Sequence, residues 1–371
     1  MKVVYTGRHR AHIPGDVIEN GITRPSRDVP QRMDALLRAV YSLGHDVIEA
    51  DDHGTSPLAA VHSKAYLAFL ATAYRDWQRL GLAGRVVPAA FETRPEAYCD
   101  EWSPIAKSGF HLRDQITPIG EGTWSAAYWA AQTALTAAAL IKEGENQAYA
   151  MCRPSGHHAG PDFGGGATYL NNAAIAARFL ARDFGRVAII DIDVHHGNGT
   201  QEIFWDDPDV FFASIHRSPE AFYPHFTGSQ KETGGSAAPN GILNVPLPAR
   251  AGDAAFVQGI ETCLAGVLEH KPGVIVVSLG FDALSTDPCT GLSVSEPSFE
   301  TVGQRIGAID KPILLVQEGG YDLVNLQGVA QRFLRGFCSA ESQAHNPIRS
   351  AGNSFASRQA LTPLKTPVAM R

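Results

Sequence analysis

An α/β domain organised on a mainly parallel sheet is what this 371-residue sequence predicts, on three observations. Short apolar runs rich in branched residues recur along the chain, and the stretches between them are long enough for helices. Several runs end on Asp, His or Gly, as buried parallel strands do where loops gather at one edge of a sheet. Neither a linker nor an internal repeat interrupts the alternation, so one domain is the simpler reading, although the length alone would allow two.

In chain order, strands are expected near Lys2 to Tyr5, Asp46 to Ala50, Gln147 to Met151, Val187 to Ile192, Val210 to Ile215, Val274 to Leu279 and Pro312 to Val316. Helices fill the intervals. Thr123 to Lys142 is the clearest, with Thr123 as N-cap and an Ala/Leu-rich body that stops before Gly144. Residues 85–114 and 340–371 are rich in Pro, Gly, Ser and polar side chains, and are expected to be a long surface loop and an extended C-terminal tail.

Composition excludes several function classes. A net charge of -7 disfavours nonspecific nucleic-acid binding, which needs basic surface to displace counterions from phosphates. No apolar run is long enough for a membrane span or signal segment, so no membrane partner is expected. Five cysteines (99, 152, 263, 289 and 338) lack paired metal-type spacing and are odd in number, which fits a reducing cytoplasm better than a disulfide framework.

The segment Ile189-Ile190-Asp191-Ile192-Asp193-Val194-His195-His196-Gly197-Asn198-Gly199 carries the most chemistry. Residues two apart on a strand share a face, so Asp191, Asp193 and His195 are expected on one side and His196 on the other. The run Val274 to Leu279 leads to a further carboxylate, Asp282. Asp193, His195 and Asp282 would leave one coordination position open, which is the form of a catalytic zinc site rather than a closed structural one. In Arg153-Pro154-Ser155-Gly156-His157-His158-Ala159-Gly160, a proline and two glycines hold adjacent histidines on a rigid turn, a mount for a general base. Gln317-Glu318-Gly319-Gly320-Tyr321 sets a phenol on a glycine turn. Singly, each is as easily a loop or packing residue; together they describe a hydrolytic site.

In order and spacing these segments resemble the arginase/deacetylase superfamily, specifically the zinc-dependent histone deacetylases and bacterial acetylpolyamine amidohydrolases. The resemblance runs from about Val3 to Phe337 and includes Val61-His62-Ser63-Lys64-Ala65-Tyr66-Leu67, Leu170-Asn171-Asn172-Ala173 and Val210-Phe211-Phe212-Ala213-Ser214-Ile215-His216. Asn198, within Asp191 to Gln201, is closest to the acetylpolyamine and class II-like branch. The resemblance implies the single-domain arginase/deacetylase fold, a mainly parallel eight-stranded sheet between helix layers, over residues 1–340. Residues 341–371 would be the tail.

It also implies a metal-activated water attacking an acyl amide, with one zinc per chain and His158 as the principal general base. His157 would pair with Asp191 and His158 with Asn198, so the first imidazole is the more basic and the two titrate differently. Tyr321 would donate to the oxyanion. Structural potassium would be held by Asp191, the main chain of Asp193 and His195, Ser214 and Ile215, with a second potassium at the carbonyls of Phe204, Asp207 and Val210. Bacterial relatives often dimerise through the early loop, so a homodimer is expected.

The sequence departs from the family at the substrate channel. Gly164-Gly165-Gly166-Ala167-Thr168-Tyr169 places Ala167 where relatives carry an aromatic wall, beside Gly166, so the channel is expected to be wider or filled from another loop. By the resemblance Tyr223 is expected to form the opposite wall, and Cys289 either borders the mouth or is a small packed residue. Relatives place acids on an early loop to receive a cationic amine; Asp100, Glu101 and Asp114 are the candidates here but do not fall cleanly at the family positions. The expected substrate is an acetylpolyamine or an acetyl-lysine side chain. The alternatives are a bulkier or different small amide, or a deacylase-fold binding protein of low turnover.

Overall fold

The computed structural model describes residues 1–344, so the tail expected from residue 341 lies outside the described residues from 345 onward. Its strands are β1 (Lys2–Val4), β2 (Asp16–Glu19), β3 (Ile22–Pro25), β4 (Asp46–Ile48), β5 (Gln147–Ala150), β6 (Val187–Asp191), β7 (Val210–Arg217), β8 (Ile242–Leu247), β9 (Val274–Leu279) and β10 (Ile313–Gln317). The α-helices are α1 (Gln31–Ser42), α2 (Lys64–Arg79), α3 (Pro104–His111), α4 (Thr123–Lys142), α5 (Asn172–Phe184), α6 (Asn198–Ile203), α7 (Asp253–His270), α8 (Glu296–Gly307) and α9 (Leu326–Ala344).

Eight strands form one sheet in the order β4-β1-β5-β10-β9-β6-β7-β8, and every neighbouring pair is parallel. Residues of β9 and β6 are buried along their whole length, as expected of strands covered on both faces. One apolar layer packs α2, α4 and α5 on the first face; the other packs α1, α7, α8 and α9 on the second. Four consecutive neighbours, β5, β10, β9 and β6, bring together chain segments far apart in sequence. The loops leaving their carboxyl ends, with the loop after β7, meet on one side of the sheet. Among the described residues no helix is long and apolar enough to cross a membrane.

Four expectations need correction. Thr123 is the first residue of α4 rather than its N-cap; Gly122 precedes it, and the Thr123 hydroxyl accepts from the Gly120 amide and meets His12 Nδ1. Residues 85–114 are not all surface loop, because α3 buries Phe110 and His111. The last helix runs to Ala344, past the expected start of the tail. Strand β6 stops at Asp191, so Asp193 and His195 lie in the loop beyond it, while His196 does turn away, to Thr227 and Gln201.

Two elements were not expected. Among the described residues strand β8 pairs only with β7, an edge position that tolerates Pro246. The hairpin β2–β3 turns on Asn20-Gly21, both at positive φ (52° and 77°), a conformation asparagine and glycine adopt readily.

Candidate active site

The carboxyl ends of β6 and β9 deliver the acidic cluster. His195 Nδ1 lies 3.0 Å from Asp193 Oδ1 and 3.3 Å from Asp282 Oδ2. Asp282 Oδ2 is buried and makes no hydrogen bond, while Asp282 Oδ1 accepts from the Val194 amide and Asp193 Oδ2 from the Gly319 amide. A Cβ on Gly319 would stand 2.2 Å from Asp282 Oδ2, so glycine is what lets the turn after β10 close over these carboxylates.

Asp191, Asp193, Asp282 and Glu318 are almost wholly buried. That much negative charge away from water is costly without a cation among the oxygens. The convergent donor set, with Asp282 Oδ2 left without a hydrogen bond, therefore fits a divalent ion held by Asp193, His195 and Asp282. Cys289 Sγ is also nearby: its ligand atom and those of His195 and Asp282 lie within 4.8 Å of one another. Its bordering position is thus the one of the two sequence readings that the geometry favours.

Electrostatics around the cluster are strongly asymmetric. Burial alone would raise the Asp193 carboxyl, but His157 and His195 hold it below the carboxylate range. Burial, reinforced by Asp193, pushes the Asp282 carboxyl up.

The loop after β5 supplies the histidine pair. His157 Nδ1 lies 2.9 Å from Asp191 Oδ2, and His158 Nδ1 lies 2.7 Å from Asn198 Oδ1. Burial opposes a charge on His157, yet Asp191 and Asp193 outweigh it and push its pKa up to about 10. His158 is held well below its ordinary value by burial, then by His157 and His195. A neutral His158 that gives its Nδ1–H to the Asn198 amide oxygen keeps the Nε2 lone pair free to accept a proton. Gly166 packs on this ring: at φ 56° its added Cβ would meet His158 Cδ2 at 2.1 Å.

Tyr321 completes the arrangement. Its amide donates to Asp287 Oδ2 at 2.6 Å, and the Arg32 guanidinium lies 4.6 Å from its ring centroid. Burial pushes the phenol well above its ordinary value, so it remains a donor at neutral pH.

His157, His158, Gly166, Ala167, His195, Tyr223, Cys289 and Tyr321 border one narrow cavity of about 80 Å³, which opens into a mouth of about 710 Å³. Tyr223 stands edge-on to His158, with centroids 4.8 Å apart, and Phe222 stacks on His195 at 4.7 Å. Val17 and Arg24 of the β2–β3 hairpin and Ile116 border the same cavity as Ala167. Asp114 accepts from the Tyr223 hydroxyl and the Gly166 amide, both at 2.7 Å, and from Thr117. It braces both walls. Asp100 and Glu101 do not border the cavity or its mouth.

At the expected potassium positions, Asp191 Oδ1 accepts from the Asp193 amide, and Ser214, paired in register with Asp191, meets His216 Nδ1 at 2.9 Å. Ile215 follows Ser214 on β7 and is wholly buried. In the second group, the carbonyls of Phe204 and Asp207 accept from Asp207 and Val210 amides, and the Asp207 carboxylate meets Arg178.

Sequence reasoning missed the supports. Glu318 accepts from the amides of Gly156 and His157, fixing the histidine loop, and burial pushes its carboxyl up to about 7. Arg32 donates to the carbonyls of Glu318 and Gly320, Arg153 to those of His9 and His12, and both guanidiniums meet Asp28 Oδ1. Glu318 and Arg153 lay inside segments already singled out; Asp28 and Arg32 had no local signal.

Comparison with known proteins gives a consistent result. The histone deacetylase domain family matches residues 26–337. An acetylpolyamine amidohydrolase of Burkholderia pseudomallei (strain 1710b) is 40% identical over 328 residues, 88% of this chain and 95% of the relative. Acetylpolyamine amidohydrolase 1 of Pseudomonas aeruginosa is 38% identical over 343 residues, covering 91% and 99%. The crystal structure of an acetylpolyamine aminohydrolase from Burkholderia pseudomallei superimposes with a TM-score of 0.89 at 39% identity, over 92% of this chain and 99% of that one.

Proposed function

The chain belongs to the histone deacetylase family, a family of zinc-dependent deacetylases, and on that premise we propose that it hydrolyses the amide of an acetylated primary amine of the acetylpolyamine or acetyl-lysine type. The observation that carries this reading is the convergence of an Asp/His/Asp donor set, a neutral histidine and a protonated tyrosine on one cavity.

One zinc ion per chain, held by Asp193, His195 and Asp282, would polarise the scissile carbonyl and lower the pKa of water from ~15.7 toward ~7. Such hard donors also admit Fe²⁺ or Co²⁺. His158 takes the proton from the attacking water at Nε2 and returns it to the leaving nitrogen, as general base and then general acid. His157, kept protonated by Asp191, offsets the negative charge that develops beside it. Tyr321 donates its hydroxyl to the oxyanion as the carbonyl becomes tetrahedral. Potassium at Asp191, Asp193, His195, Ser214 and Ile215, and a second ion at Phe204, Asp207 and Val210, would stiffen the loops without entering the reaction. A cytoplasmic homodimer remains part of the proposal.

Protein stripped with a chelator, resupplied with zinc and assayed on acetyl, trifluoroacetyl and longer acyl amines tests the reading. Turnover of the acetyl amines is expected; zinc-loaded protein inert on the whole panel would instead be a deacylase-fold binding protein.

Asp114 gives a sharper prediction. Asp114→Ala releases Tyr223 and the Gly166 turn together, and hydrogen bonds to a charged group contribute about 1.5–3 kcal/mol. KM for an acetylated amine is expected to rise about tenfold or more while zinc content is retained. Unchanged KM would mean that the two walls hold their places without it.

A further inference from the structure

The β2–β3 hairpin lies against the cavity, and its register decides which side chains face the same way. Val17 pairs with Arg24 and Glu19 with Ile22, so Val17, Glu19 and Arg24 share one face of the ribbon. All three border the cavity that His157, His158 and Tyr321 also line. Ala167 offers only a methyl group there, while Arg24 brings a guanidinium to the same lining.

Arg24 is incompletely satisfied. Its Nε is buried without a hydrogen bond, and its partner Glu19 is shared with Arg27, whose Nη1 lies 3.3 Å from the same carboxylate oxygen. One carboxylate between two guanidiniums leaves a positive charge in partly dehydrated surroundings. Neighbouring acids do not supply the balance. Asp114 is engaged by Tyr223, Gly166 and Thr117, and Asp28 by Arg32 and Arg153. At the outer mouth Glu202 interacts with Arg113, and Arg217 adds another cation. A polycationic amine would meet repulsion along this path. A carboxylate would meet the paired N–H edge that a guanidinium presents for bidentate recognition.

Building on the amidohydrolase reading above, we infer that Arg24 recognises a carboxylate on the substrate, making the preferred substrate an acylated amine that bears a carboxylate rather than an acetylated polyamine. The carboxylate can sit on the amine fragment, as in an ω-acetamido acid or free acetyl-lysine, or on the acyl fragment, as in a succinyl amide.

The test is a matched series on the full-length zinc-loaded protein: a short ω-acetamido acid, its methyl ester, an acetylated diamine of equal length and the corresponding succinyl amine. A carboxylate-bearing substrate is expected to exceed the ester and the diamine in kcat/KM by about tenfold or more, through KM. Arg24→Gln should bring that ratio to about one, Arg24→Lys should keep part of it, and Glu19→Gln, which removes the competing carboxylate, should increase it. Preference for the acetamido acid puts the recognised group on the amine side; preference for the succinyl amide puts it on the acyl side. Turnover of the series with no preference in the unmodified protein, or equal losses on all substrates in Arg24→Gln, overturns the inference alone. No turnover on any member overturns the amidohydrolase reading and this inference with it.

Discussion

His195→Ala is expected to lose both zinc and activity, whereas Tyr321→Phe keeps the zinc and loses about 10²–10³ in kcat. The difference follows from what each side chain faces. His195 Nδ1 stands within 3.3 Å of carboxylate oxygens from Asp193 and Asp282, so its loss leaves two buried acids with no nitrogen donor between them. Tyr321 is braced by Asp287 and Arg32 and brings a hydroxyl that burial keeps protonated. Removing one oxygen from it takes a hydrogen bond from the oxyanion and nothing from the metal. Metal analysis of both variants beside steady-state kinetics checks the division, and equal zinc loss in the two would refute it.

The second large effect is structural. Asp28 is buried between Arg32 and Arg153, which tie the N-terminal loop to the histidine loop and to the Gly319-Gly320 turn. Asp28→Ala would leave two buried guanidiniums without their anion, a change that typically costs about 3–5 kcal/mol. The urea midpoint is expected to fall correspondingly, with an unchanged slope if unfolding stays two-state.

The same residue gives a pH dependence with a definite sign. Burial would raise the Asp28 carboxyl, but Arg153 and Arg32 outweigh it and hold its pKa at about 2, below its ordinary 3.8. A depressed carboxyl stabilises the fold fully above the unfolded value, and that contribution, roughly 2 kcal/mol, disappears as pH falls from about 4 to about 2. Asp28→Asn should remove this part of the acid-induced loss of stability. An unchanged difference between pH 5 and pH 3 in that variant would show that other groups carry it.

Much of the sheet could be read directly, because branched apolar runs such as Val274 to Leu279 admit few alternatives when both faces are covered. Strand β8 escaped because Asn244 and Pro246 interrupt its apolar pattern, which an edge position permits. The hairpin had a usable signal in Asn20-Gly21, a favoured two-residue turn, but its flanking strands lack a long hydrophobic alternation. The candidate metal ligands and the histidine pair were legible for a different reason: Asp193, His195, Asp282, His157 and His158 lie in loops just beyond strand ends, and it was their combination and spacing, not any one of them, that marked a site. Asp28, Arg32, Asp114 and Arg24 were not legible as a set. Each is an ordinary charged residue locally, and only the strand order and the folding of the hairpin against the cavity give them partners.

In the proposed function Asp193, His195 and Asp282 hold the one metal ion on which amide hydrolysis depends. Stripping the protein, titrating it with zinc, and following bound zinc and acetylated-amine turnover on the same samples tests this. Activity should rise in proportion to bound zinc and level off at about one ion per chain, the stoichiometry of a single three-ligand catalytic site. Full activity in the stripped protein, or zinc bound at that ratio by His195→Ala, would contradict it.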